Sequence, residues 1–329
     1  MTAPITLPRG ASLCHLPNPF LLAHGGRLDA AVLAYERHGR RGGPAVVVLG
    51  GIAAGRGVRA AAGQATPGWW PQQVGDGLAI DTRCYDVLAF DWLGGRGAST
   101  RAGATALPFV DAADQARALW CLCDTLGIDR LFAIVGCSYG GMVAQHAAAE
   151  APGRVARLGI VAAAHQGNAL ASAWREVQRG IVELGRRTGH RRQALALARA
   201  LAMTTYRSGA ALAARFPAPP EVVAGELRTA VGPWLAARGA AFARDFDAEA
   251  FLCLNRSIDA HHIDPATVRV PTWLLAFASD LLVPAADVAA FAARLPQLAG
   301  HRCLNSPHGH DAFLLETTAV AAWLREVLS

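Results

Sequence analysis

The chain has 329 residues, 53% hydrophobic and 17% charged, enough apolar material for one large core, which excludes a disordered or fibrous protein. All 31 basic residues are arginine and the formal net charge is +6, yet they are dispersed among alanine and leucine without a nucleic-acid motif, so an anionic small molecule is expected rather than nucleic acid. No apolar run reaches the roughly 18 residues of a spanning helix, and Met1 to Gly10 lacks the charged start and apolar stretch of a secretory leader, so a cytoplasmic protein with no membrane partner is expected.

Short β-branched runs alternate with longer helical patterns along the chain, the signature of βαβ units and a mostly parallel, doubly wound α/β sheet. Arg27 to Arg37 reads as an antiparallel edge strand or pair, and Ala45 to Leu49 as the first buried strand. Tyr85 to Phe90, Leu131 to Val135, Leu158 to Ala162 and Thr272 to Phe277 follow, nearly continuous in apolar character as strands covered on both faces are, with a weaker one near Arg302 to Leu304. Helical spacing from Asp111 to Leu126, stopped by Gly127, predicts a helix before the central strand, and Tyr139 to about Ala149 predicts another, closed by Pro152 and Gly153.

From His165 to Pro265 the strand rhythm gives way to helical patterns broken by Pro217, Pro219, Pro220 and Pro233, and strand character resumes at Val270. The predicted organisation is a core domain of residues 1–164 and 266–329 with a helical cap, residues 165–265, inserted into it. The seven cysteines, at positions 14, 84, 121, 123, 137, 253 and 303, have neither Cys-x-x-Cys nor zinc-type Cys/His spacing, so reduced buried thiols and no metal are expected.

The chemistry starts at Gly136-Cys137-Ser138-Tyr139-Gly140, a G-x-S-x-G that leaves an apolar strand and enters a helix. A serine on such a strained turn is exposed, the flanking glycines let strand and helix approach, and the helix N-terminus favours developing negative charge. A serine hydroxyl is too weak an acid to attack unaided, so a base and its orienting carboxylate should follow in the order Ser, Asp, His. Asp280, in Ser279-Asp280-Leu281 just past a strand, supplies the carboxylate, with a helix cap as its bland alternative. The base is His308 or His310, two residues apart in Ser306-Pro307-His308-Gly309-His310-Asp311, while His261 and His262 read as surface or satisfied core groups. Oxyanion donors are expected from the backbone N–H of Tyr139 and from Gly50-Gly51-Ile52, with Ile52 the donor.

These segments together resemble the homoserine O-acyltransferases, acyl-CoA-dependent enzymes of methionine biosynthesis with the α/β-hydrolase fold. The resemblance is carried by Pro67-Gly68-Trp69-Trp70, Ile80-Asp81-Thr82, Leu93-Gly94-Gly95 with Gly97 and Ser99-Thr100, Ser138 with Gly140-Gly141-Met142, Arg154-Val155, Phe246-Asp247, Ser279-Asp280 and Gly309-His310-Asp311-Ala312-Phe313-Leu314. It selects His310 as the base. It implies a ping-pong reaction in which Ser138 takes the acyl group from acetyl-CoA, favoured over succinyl-CoA, and passes it to L-homoserine, with no bound cofactor. It further implies that Arg199, in Leu197-Ala198-Arg199 followed by Thr205-Tyr206, grips the amino-acid carboxylate, with Tyr206 beside it, that Asp311 meets the ammonium, and that the protein is a homodimer formed through its cap.

The chain departs from the family pattern in a shorter cap, in Gly50-Gly51-Ile52 where His-Ala-Leu is usual, in Cys137 and Tyr139 of the elbow, and in lacking proline after Ser99-Thr100. These departures bear on donor and acceptor. They leave serine open as acceptor, and they make Arg56, near the oxyanion loop, a candidate for a succinyl carboxylate or a CoA phosphate. The rival activity for the same three residues is an esterase or thioesterase, with water as acceptor; a non-catalytic binding protein would be expected to have lost one of them.

Overall fold

The computed structural model describes residues 11–59, 67–101 and 107–329, so the Met1 to Gly10 segment weighed as a leader lies outside the described residues. Eight strands form one sheet: β1 (Ala11–His15), β2 (Val32–Gly39), β3 (Ala45–Leu49), β4 (Asp86–Phe90), β5 (Ala133–Cys137), β6 (Leu158–Val161), β7 (Thr272–Phe277) and β8 (Leu298–Leu304). Their spatial order is β1-β2-β4-β3-β5-β6-β7-β8, antiparallel in the β1-β2 and β2-β4 pairs and parallel from β4 onward. Every residue of β3, β4, β5 and β6 is buried, which explains their nearly unbroken apolar character, interrupted by Asp86, which pairs with Arg37. By contrast β8 is an edge strand with five exposed positions, so its apolar signal was weak in the sequence.

Successive residues of the central strands feed opposite faces of the sheet. Val47, Leu49 and Ile134 pack into one core with helix α1 (Ala112–Thr125) and helix α2 (Tyr139–Glu150), whereas Val46, Val48 and Val135 pack into the other with Val320, Trp323 and Leu324. α1 starts where its sequence predicts, because Asp111 and Asp114 form a reciprocal cap: each carboxylate accepts from the other's backbone N–H, at 2.9 and 3.0 Å.

Two expectations are corrected. Arg27 to Arg37 does not form one element: Ala30 turns the chain with φ +50°, so Arg27–Leu28 pairs with Phe20–Leu21 in a separate ribbon and only β2 enters the sheet, flanked at its edge by β1. The thiols are free but not all buried, since Cys84 and Cys303 are exposed. Among the described residues no cluster of three or more His, Cys, Asp or Glu could hold a metal, and no helix is long and apolar enough to cross a membrane.

Between β6 and β7 the chain leaves the sheet and forms α3 (Ala169–Thr188), α4 (Arg191–Tyr206), α5 (Gly209–Arg215), α6 (Gly232–Asp245) and α7 (Ala248–Ala260). The proline-rich stretch between α5 and α6 turns into a short hairpin, Glu221–Val223 against Glu226–Arg228, which the helical reading had not anticipated. After β7 come α8 (Ala285–Ala292), α9 (Ala312–Leu315) and α10 (Thr317–Leu328).

Candidate active site

The parallel strands end in the loops that carry the candidate residues, as open α/β sheets require of a binding crevice. β5 runs between β3 and β6 with Gly136 opposite Leu49 and Cys137 opposite Val161, so Ser138 leaves the sheet at its centre. Its backbone has φ +54° and ψ −120°, a strained conformation for a residue with a side chain, held because its N–H donates to Val161 O and its carbonyl accepts from Gly141 N. The turn has no room for larger neighbours. A Cβ on Gly136 would sit 2.3 Å from Gly140 O, and one on Gly140 would sit 2.4 Å from Leu49 O.

His310 Nε2 lies 2.8 Å from Ser138 Oγ, and His310 Nδ1 lies 2.7 Å from Asp280 Oδ2. The other carboxylate oxygen, Asp280 Oδ1, accepts from Leu282 and Val283 backbone N–H at 2.9 and 3.0 Å, which fixes the side chain at the end of β7. His310 is presented by a single helical turn, Gly309–Asp311; Gly309 there has φ +60° and donates its N–H to Ser279 Oγ, and a Cβ on it would strike Tyr206 O. Burial pulls the His310 pKa down, and the charge and hydrogen bond of Asp280 more than offset it, so the ring is a stronger base than free imidazole. His308 points elsewhere: its Nε2 faces Glu316 at 4.0 Å and the side chain is partly exposed. His261 is a satisfied core group, with its ring nitrogens near His146 Nε2 and Ala164 O, and burial pushes it down to about 3.

The Ile52 and Tyr139 backbone N–H groups donate no hydrogen bond among the described residues, and Ile52 shares one cavity with Ser138. The turn before Ile52 is fixed by Gly51 O, which accepts from Trp92 Nε1 and Ala54 N. The Tyr139 side chain plays no part at the surface: it is fully buried, hydrogen-bonded to Ser257 Oγ at 2.7 Å.

That cavity, about 220 Å³, is walled by the loop of Gly51, Ile52, Ala53 and Ala54, the Ser138 and His310 turns, and helices α3, α4 and α7. Arg199, Tyr206 and Asp311 all line it. Arg199 extends over the faces of Tyr206 and Phe242, 4.8 and 4.7 Å from their centroids, and meets no carboxylate among the described residues. Tyr206 in turn stacks on His310 at 5.8 Å, and Asp311 pairs with Arg207 at 3.1 Å. Arg199, Tyr206, His310 and Asp311 therefore occupy one continuous side of the cavity.

Arg56 does not belong to this group, and its candidacy for a succinyl carboxylate or CoA phosphate is corrected. Its guanidinium is hydrogen-bonded to Asp91 and lies 3.3 Å from Glu36, with little exposure, and it does not line the cavity. Two buried carboxylates already neutralise it, so it braces β2 and the segment after β4. Sequence reasoning also missed three buried polar residues on the wall, Arg175, Gln178 and Asn255. A signal existed: on α3 the buried positions are 171, 175, 178, 182 and 185, a helical stripe in which Arg175 and Gln178 stand where apolar residues belong.

A family model described as alpha/beta hydrolase fold matches residues 44–317. A homoserine O-succinyltransferase of Xanthomonas campestris pv. campestris is 40% identical over 97% of this chain and 84% of its own, and a homoserine O-acetyltransferase of Clavibacter michiganensis subsp. michiganensis is 34% identical over 93% and 90%. Among solved structures, homoserine O-acetyltransferase from Bacillus anthracis superposes with a TM-score of 0.89 over 97% of each chain at 20% identity, which speaks to the fold.

Proposed function

The chain belongs to the homoserine O-acyltransferase family of the α/β-hydrolase fold, and from that premise we propose that it moves an acyl group from acyl-CoA to the hydroxyl of L-homoserine through an acyl-enzyme on Ser138. The observation that carries this reading is the Ser138-His310-Asp280 hydrogen-bonded chain opening into the same cavity as Arg199, a guanidinium that meets no carboxylate among the described residues.

In the first half-reaction Ser138 Oγ attacks the thioester carbonyl while His310 Nε2 takes its proton. Asp280 holds the Nδ1 proton and stabilises the imidazolium. The oxyanion is met by the N–H groups of Tyr139 and Ile52, and the CoA sulfur leaves with the proton that His310 returns. In the second half-reaction the homoserine hydroxyl gives its proton to His310, attacks the acyl carbon and displaces Ser138 Oγ, which is reprotonated. Homoserine is a zwitterion, and holding it at both ends, carboxylate on Arg199 and ammonium on Asp311, aims its hydroxyl at the ester. Serine held in the same way would fall short by one methylene, and an error of about 1 Å costs on the order of 10²-fold in rate.

Thiol release by the purified protein with acetyl-CoA or succinyl-CoA, with and without homoserine, tests the reading; release indifferent to homoserine would replace it with a thioesterase. The Arg199→Met variant, which keeps apolar bulk between Tyr206 and Phe242, should raise KM for homoserine by about 10² to 10³-fold, the value of a charge-assisted bidentate contact, and leave acylation by the donor far less affected. A shift in donor KM of the same size would move Arg199 to the donor.

Of the two donors, the sequence resemblance led to acetyl. A relative at 40% identity is named for succinyl, and the buried polar residues Arg175, Gln178 and Asn255 on the cavity wall support succinyl as the donor. We assign the reaction to methionine biosynthesis in the cytoplasm and treat residues 165–265 as a cap through which the protein dimerises. Support for the dimer is an apolar stripe on α3, where Leu170, Val177 and Leu184 recur every seven residues and are each more than half exposed. Sedimentation equilibrium should give a dimer that Val177→Glu dissociates, and a wild-type monomer would refute it.

A further inference from the structure

Arg175 is the group that the proposed mechanism leaves unused. It is only 9% exposed, and a charge buried to that degree is seldom retained unless it is paired or has a task. Its pairing is partial. Arg175 Nε and Nη2 both lie 2.7 Å from Asp259 Oδ1 and Nη2 also reaches Ser172 Oγ, while the other oxygen of Asp259 accepts from Arg179, which pairs with Glu176 as well. Arg175 Nη1 donates to nothing among the described residues.

Next to it, Gln178 Oε1 accepts from Asn255 Nδ2 at 3.4 Å, which leaves the Gln178 Nε2 donors without a partner among the described residues. Neither nitrogen is sealed in the protein, unlike the enclosed unpartnered nitrogens Arg117 Nε and Trp323 Nε1, and both residues line the cavity. The wall thus offers one guanidinium edge and one amide NH2, donors with no matching acceptor among the described residues, which is the complement of a carboxylate.

The cavity has two arginines on different helices, Arg175 on α3 and Arg199 on α4. Arg199 sits on the side formed by Tyr206, His310 and Asp311, where the amino acid must lie for its hydroxyl to meet His310. The charge of Arg175 is also felt at the His310 ring, where it lowers the pKa, so it stands within electrostatic reach of the reacting centre. During the second half-reaction acyl group and amino acid occupy the cavity together, and a dicarboxylic acyl group would add a second carboxylate to the one on homoserine. Two carboxylates require two cationic ends. Of the acidic residues on the wall, Asp311 is held by Arg207, and Asp287 accepts from Asn168 Nδ2 at 3.0 Å and belongs to α8 rather than to the α3 and α7 wall.

We propose that Arg175, with Gln178, binds the distal carboxylate of a dicarboxylic acyl group and so determines the donor as succinyl-CoA or a close homologue. The proposal rests on the acyl-serine reading above. Arg175 Nη1 and Gln178 Nε2 have no protein acceptor among the described residues, and in the acyl-enzyme the carboxylate supplies one. An acetyl group, ending in a methyl, makes no hydrogen bond to either donor, and a site built to hydrogen-bond a substrate group discriminates strongly against an analogue that lacks it.

The test is the acylation half-reaction of the full chain with acetyl-CoA and succinyl-CoA and no acceptor, read as the thiol burst and the mass of the adduct on Ser138. Wild type should prefer succinyl-CoA, and Arg175→Met should lower the succinyl-to-acetyl ratio of kcat/KM by about 100-fold or more, with partial recovery in Arg175→Lys. Gln178→Met should lower the same ratio by a smaller factor and serves if Arg175→Met does not fold. An unchanged ratio in both variants, or a wild type acylated by acetyl-CoA alone, would each overturn the assignment and leave the acyl-serine mechanism standing. Acylation by neither donor would remove the mechanism and the assignment together.

Discussion

Ser138→Ala should abolish thiol release from acyl-CoA to within the residual rate that binding and the oxyanion donors provide, a loss on the order of 10⁴ to 10⁶-fold. The expectation is specific because alanine changes so little else. Among the described residues Ser138 Oγ has one hydrogen-bond partner, His310 Nε2, while the elbow is held by backbone bonds to Val161 O and from Gly141 N that alanine keeps. The φ of +54° costs alanine about what it costs serine, so the variant should fold with near-wild-type stability. The measurement is the single-turnover thiol burst together with the protein adduct, compared with thermal melting of both proteins. A burst that survives in Ser138→Ala would mean that the acyl group goes directly from donor to acceptor and that no acyl-serine forms.

The residues most legible in the sequence were those whose roles are set locally. The elbow is one: Gly136, Ser138 and Gly140 announce a strand, a tight turn and a helix, and the clashes a Cβ would meet at Gly136 and Gly140 are the physical content of that spacing. Strands β3 to β7 were legible for a different reason, since burial on both faces leaves few polar residues in the run. Where a fate depends on distant segments, the sequence was silent. His308 and His310 are equivalent as letters, and what separates them is the turn at Gly309, braced by Ser279 Oγ from the loop after β7, that points one ring at Ser138 and the other at Glu316. Arg56 looked free because its partners, Glu36 and Asp91, are 20 and 35 residues away, brought together only by β2 and β4 pairing in the sheet.

Arg175 was missed for the opposite reason. The sequence did carry a signal, an arginine and a glutamine on the buried stripe of α3, but in an alanine- and arginine-rich segment one more arginine reads as solvated surface until burial is known. Breaks in local rules of this kind tend to mark functional positions, and here the break coincides with the cavity wall.

Asp280→Asn should lower kcat/KM by roughly 10⁴-fold without disturbing the fold, and the reason lies in which oxygen does what. Asp280 Oδ1 accepts from Leu282 and Val283 N–H, and only Oδ2 faces His310 Nδ1. An asparagine keeps its carbonyl oxygen on the two backbone donors, because the opposite placement would set its NH2 against them. The NH2 then points at His310 Nδ1 and donates to it, which drives the ring proton onto Nε2. That nitrogen faces Ser138 Oγ and can no longer accept its proton. The pH profile gives an independent sign. Activity depends on neutral His310, so in the wild type it falls as pH drops through a pKa that Asp280 holds above the free-imidazole value. In the asparagine variant the charge is gone while the burial remains, so the acid limb should move to lower pH even as the plateau collapses. A variant whose acid limb stays in place, or moves upward, would show that another group controls the titration and that Asp280 is not the partner of the base.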